Sequence, residues 1–196
     1  MRMRRYPKGT ISTALLLNYL FVQLLPSSTA FAQEAPPAAG VNVVISEVMW
    51  MGSDLSTADE WVELAAFSDG DAAPASLSGW TLVSVKDGAE QPLVRFASGA
   101  SIVSGGFAVV SNYAEAQSRL FAPPFATSTS VSAPNTKLLL GLYDDRDVLR
   151  DEVDDGIGNP FAGINTSSAK TSMERVDLRA PGNVASNWRS ATASSG

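Results

Sequence analysis

Between residues 41 and 190 the chain alternates short apolar runs with turn-forming residues. Val41–Trp50 is β-branched and aromatic. Glu60–Ala65 alternates, with Val62 and Leu64 on one side and Trp61 and Glu63 on the other. Gly79–Val85 places Trp80 and Leu82 on a common face. Leu93–Ala97 is brief, Ile102-Val103 and Phe107–Ser111 flank Gly105-Gly106, and Lys137–Tyr143 has the pattern of a buried strand. Asp144–Asp147 predicts a turn, with Val148–Val153 returning as the second arm of a hairpin. Met173–Val176 and Asn187–Ser190 close the series. Period-two runs with turn signals every ~8–12 residues predict an all-β domain, a sandwich of about eight or nine short strands. Helical spacing occurs only over Tyr113–Leu120, stopped by Pro123-Pro124. The Pro-, Ser- and Thr-rich stretch Ala122–Thr136 predicts a surface loop.

The ends read differently. Residues 1–32 carry a basic start (Arg2, Arg4, Arg5, Lys8), an apolar run from Ile11 to Leu25, and Ala30-Phe31-Ala32. This is the pattern of a secretory signal peptide cut after Ala32. The apolar run falls short of the ~20 residues that span a bilayer, so stable membrane insertion is not expected after cleavage. Residues 33–40 read as a flexible leader, 41–191 as one β domain, and 192–196 as a tail. The expected location is secreted, periplasmic or cell-surface.

Composition then removes most enzyme templates. The chain of 196 residues has no Cys and no His. Ser-His-Asp triads, Cys-His dyads, His-ligated zinc and disulfides are therefore excluded. Cleavage removes 4 of the 14 basic residues and none of the 20 acids, leaving a net charge of −10. With no basic run after residue 32, nucleic-acid binding is disfavoured.

Six segments in order carry a resemblance: Ile45–Met49, Asp59–Leu64, Leu77–Leu82, Gly105–Val110, Ser172–Arg175 and Asn187–Ser190. Together they resemble the bacterial lamin-tail domain, an immunoglobulin-like module, over roughly residues 41–191. The chain departs from that pattern at Ala65-Ala66 and in a longer 122–136 loop. The resemblance implies an immunoglobulin-like β-sandwich without catalysis, serving adhesion, anchoring or an accessory role.

Candidate chemistry is carboxylate-based. Asp144, Asp145, Asp147, Asp151, Glu152, Asp154 and Asp155 crowd one segment. Calcium takes ~6–8 oxygen ligands, but the calcium-loop spacing is missing, and a solvated acidic hairpin edge is the plainer explanation of the run. Weak calcium association stays open there. Asp54, Asp59, Glu60 and Glu63 form a second group, able to serve hydrolysis only if two carboxylates face each other across a cleft. Glu47, Glu60 and Glu63 are expected to pair with Arg95, Arg175 or Arg189. Ser167-Ser168-Ala169-Lys170 fits S-x-x-K without its companion motifs, a chance match, and Asn165-Thr166-Ser167 fits a glycosylation triplet. No catalytic, metal or cofactor residue is assigned. The expected function is binding of a protein or a polysaccharide, chiefly through 122–136 and then the 144–155 tip. The rival reading is a calcium-binding accessory module or a carboxylate-based hydrolase or nuclease.

Overall fold

The computed structural model describes residues 41–70 and 73–192. The expected signal peptide, the leader and residues 193–196 of the tail lie outside them. The described residues hold fourteen strands, several only two residues long: β1 (Asn42–Met49), β2 (Trp61–Phe67), β3 (Ala75–Ser76), β4 (Thr81–Lys86), β5 (Ala89–Arg95), β6 (Ser101–Ile102), β7 (Phe107–Ser111), β8 (Ala126–Thr127), β9 (Leu140–Tyr143), β10 (Leu149–Val153), β11 (Ile164–Asn165), β12 (Lys170–Thr171), β13 (Met173–Arg175) and β14 (Trp188–Ser190). No α-helix occurs among them.

A six-stranded sheet runs β14-β13-β1-β2-β7-β8, and a four-stranded sheet runs β10-β9-β4-β5. The pairs β11-β12 and β3-β6 stand apart. Alternation in β2 holds over Val62–Leu64 but not at Trp61, which is buried and joins the core cluster as well. Val62 and Leu64 pair with Val48 and Ile45 and join the core, whereas Glu63 lies opposite Glu47 on the other face. Leu82 of β4, Leu140 and Leu142 of β9 and Val153 of β10 enter the same core cluster as Val43, Ile45, Val62 and Val110. The two larger sheets thus exclude water from one shared interior, the main source of stability for a chain without disulfides.

The six-stranded sheet carries an irregularity at Ile45/Glu47 in β1, and the four-stranded sheet carries two, at Leu149/Asp151 in β10 and at Leu82/Val83 in the β4–β5 pairing. A bulge adds a residue to one strand and leaves backbone groups without a ladder partner. Buried, those groups must be satisfied elsewhere. Asp151 accepts the Ile45 N–H at 2.8 Å, and Arg175 donates to the Ile45 carbonyl at 3.0 Å. The same two side chains form a bidentate pair at 2.9 and 2.8 Å. One buried ion pair therefore joins β10 of the smaller sheet to β1 and β13 of the larger.

Three expectations need correction. The helix over Tyr113–Leu120 is a single 3-10 turn, Glu115–Gln117, with Ser118 already extended. The Asp59 carboxylate takes the Ser118 hydroxyl and the Arg119 N–H, pulling the chain out of helical geometry. The strand expected from Lys137 starts at Leu140, because Lys137 adopts φ +55°, incompatible with an extended strand. Finally, 122–136 is not simply a surface loop. It contributes β8, parallel to β7, and buries Val131 and Ala133.

Candidate functional site

The first acidic group holds the 122–136 segment down. Glu60, just before β2, is buried and accepts the Ala133 N–H at 3.0 Å. Burial pushes its carboxyl up to about 7, against the pull of Ala133, Ser132 and the Lys170 charge. Asp59 anchors 118–119. Asp54 forms an exposed bidentate pair with Arg119 at 2.7 and 2.8 Å. Further along, Asn112 donates to the Val131 carbonyl at 2.8 Å, and the Ser128 hydroxyl donates to the Leu93 carbonyl at 2.8 Å. Of the expected binding segment, Phe125 remains an exposed large apolar group, and Phe121, just before the segment, is another.

Glu63 belongs to a row across the outer face of the six-stranded sheet. Glu63, Glu47, Glu174 and Arg189 lie opposite one another on β2, β1, β13 and β14. Ser46, the extra residue of the β1 bulge, donates to Glu63 at 2.7 Å. Burial chiefly raises the Glu63 carboxyl, and the neighbouring Glu47 and Glu174 charges add to it. Ser172 donates to Glu47, and Arg189 pairs with Glu174 at 2.9 Å. Arg175 and Arg189 thus take Asp151 and Glu174 as ion-pair partners rather than Glu47, Glu60 or Glu63.

The 144–155 segment is the expected hairpin, but its acids disperse. Asp144 closes the tip, accepting the N–H of Arg146 at 2.9 Å and of Val148 at 3.0 Å. Burial pushes its carboxyl up, but those N–H groups and the Arg146 guanidinium outweigh it and hold the carboxyl below its ordinary value. Asp151 faces the Ile45 bulge. Glu152 accepts from Asn183 at 3.1 Å. Asp154 accepts the N–H groups of Asp155 and Phe161, both at 2.8 Å, and burial raises it to about 6. Asp144, Asp151, Glu152 and Asp154 are all buried and point to different partners. Among the described residues no group of three or more acids is placed to hold a metal ion.

Ser167 and Lys170 do not form a dyad in the structure's hydrogen bonding. Lys170 donates to the Met51 carbonyl at 2.9 Å, and the 166–169 turn between β11 and β12 is closed by Thr166 and Ala169. Asn165 of the triplet is exposed on β11.

A groove of about 670 Å³ lies where the 158–165 segment crosses Trp50 and β14, with Asn135, Asn159, Phe161, Asn165 and Arg189 on its walls. Sequence reasoning missed it. Its residues come from four separate stretches, and the one local signal was the set of turn-formers in Gly156–Gly163. The groove is firmly built. The Trp50 indole donates to the Ala162 carbonyl at 2.9 Å, the Gly163 N–H donates to Ser190 at 3.0 Å, and buried Asp154 holds Phe161. Gly163 sits at φ +98°, and a Cβ there would come within 2.6 Å of the Trp50 Nε1.

Neither a scan against protein-family models nor a search of curated proteins found a match. No helix among the described residues is long and apolar enough to cross a membrane.

Proposed function

We propose that the chain is an exported, non-catalytic binding module, an immunoglobulin-like β-sandwich of the lamin-tail kind, displayed at or outside the cell envelope. The observation that carries this reading is the use of its carboxylates. Asp59, Glu60, Asp144, Asp151 and Asp154 are each engaged with backbone N–H groups, and each is buried. Acids committed to backbone closure are scaffold groups, and a rigid scaffold leaves recognition to its rims and grooves. The order of the six sequence segments and the shared interior of the two larger sheets support the architecture. The partner is a protein or a polysaccharide of the envelope.

The test is cosedimentation of the exported chain, recovered with an N-terminus at Gln33, with envelopes of its source cell. Saturable binding is expected. No binding, together with recovery of an uncleaved chain from the cytoplasm, overturns the reading.

A further inference from the structure

We propose that the groove between the 158–165 segment and β14 is a recognition site for a neutral oligosaccharide segment. The assignment rests on the reading of the chain as a binding module and chooses polysaccharide over protein as its partner.

Two sets of asparagines in the fold differ in use. Asn112, Asn183 and Asn187 spend their carboxamides on partners within the chain: Val131, Glu152 and the carbonyls of the 177–181 turn. Asn135, Asn159 and Asn165 line the groove, and among the described residues their side chains have no hydrogen-bond partner. A carboxamide offers both donors and acceptors without charge. Three of them around one concavity match the mixed donors and acceptors of sugar hydroxyls. No acid lines the groove, and the Arg189 guanidinium on its rim is already held by Glu174. The lining therefore selects neither a cation nor a strong anion. Its volume falls within the ~300–1,000 Å³ usual for ligand sites.

The walls are fixed in advance. Pro160 follows Asn159 and Asn165 stands on β11, so these two carboxamides rise from restrained backbone. Preorganisation of this kind lowers the entropy lost on binding. Phe161, half-buried beside Asn159, offers the apolar contact that a sugar ring's C–H face needs. A protein partner adding a strand finds a poor template in edge strand β5. Pro92 removes a donor there, and the Leu93 carbonyl is taken by Ser128.

The test is an NMR titration of the exported chain with cellohexaose, maltohexaose, mannohexaose and chitohexaose. At least one is expected to shift the side-chain amides of Asn159 and Asn165 saturably. The double substitution Asn159→Ala/Asn165→Ala, at exposed positions, is expected to weaken that binding by roughly tenfold or more, with the unfolding midpoint unchanged. Absence of a saturable shift with all four sugars, or equal binding by the variant, overturns the assignment. The same variant separates the two readings. If wild type and variant sediment equally with envelopes, the groove assignment fails and the binding module stands. If neither sediments, the module reading fails with it.

Discussion

Arg175 and Asp151 form a bidentate ion pair at 2.9 and 2.8 Å whose two members also take the carbonyl and the N–H of Ile45. The pair is sealed on both sides. The Arg175 guanidinium lies 5.5 Å from the centre of the Trp188 ring, and Gly182 passes so close that a Cβ there would be 2.2 Å from the Arg175 Nη2. The tryptophan of Asn187–Ser190 is thus placed by the arginine of Ser172–Arg175, which links two of the six segments physically.

Removing one member of a buried pair leaves the other charge without compensation, at a cost of about 3–5 kcal/mol. Asp151→Asn and Arg175→Met are each expected to destabilise by that order in urea unfolding. The double substitution Asp151→Leu/Arg175→Met is expected to recover part of the loss. It cannot recover all of it, because Ile45 keeps a buried N–H and carbonyl without partners. Equal midpoints for wild type and either single variant would show that the pair does not join the sheets.

Gly182→Ala forces a methyl group against Arg175 and the Glu152 carbonyl, the latter 2.3 Å from the added Cβ. Overpacking of this kind costs about 1–3 kcal/mol. A lowered melting temperature is expected, whereas Gly88→Ala, with open space around its Cβ position, suffers only from its φ of +78°. If Gly182→Ala melts with the wild type, the close approach is not as described.

Glu60 sets a pH dependence. Its carboxyl is raised from 4.5 to about 7 in the folded chain, chiefly by burial. Between those values the folded state holds more protons than the unfolded one, so stability is fully present at the acid end and declines as pH rises towards 7. At about 1.4 kcal/mol per unit over roughly 2.5 units, the loss is about 3–4 kcal/mol once the pH has passed 7. Glu60→Gln keeps an acceptor for the Ala133 N–H and cannot ionise. It is expected to flatten that decline and to exceed wild type in stability at pH 8. Parallel profiles for the two proteins in chemical unfolding would refute the burial of an ionisable group there.

Calcium gives a further check. The buried acids of 144–155 are directed at different partners, so a cation would have to displace several hydrogen bonds to gather its ligands. Millimolar calcium or magnesium is expected to leave the melting temperature where a chelator leaves it. A rise specific to calcium would revive the metal-binding reading.

Local alternation carried much of this architecture into the sequence. The facing of Val62 and Leu64 against Glu63, the β9–β10 hairpin and the extended pieces around Gly105-Gly106 could be read directly, because period-two burial acts on neighbouring residues. What could not be read depends on partners distant in the chain. Nothing near Tyr113 reveals that Asp59 will straighten the chain at Ser118 and Arg119. Nothing near Asp151 announces the bulge at Ile45, 106 residues away. The polar first half of β5, ending at Pro92, has no strand signal of its own, and its pairing with β4 imposes the extended form. The acids were visible as a composition, but their burial was not, and the groove exists only once four stretches meet.

The buried carboxylates act as backbone partners, and amide hydrogen exchange measures that directly. The N–H groups of Ile45, Ala133 and Phe161 donate to Asp151, Glu60 and Asp154. All three are predicted to exchange slowly, with Ile45 as slow as the central strands and each released by substitution of its own acid with Ala. Rapid exchange of all three in the wild-type chain would contradict the account and return those acids to the pool available for metal or catalytic chemistry.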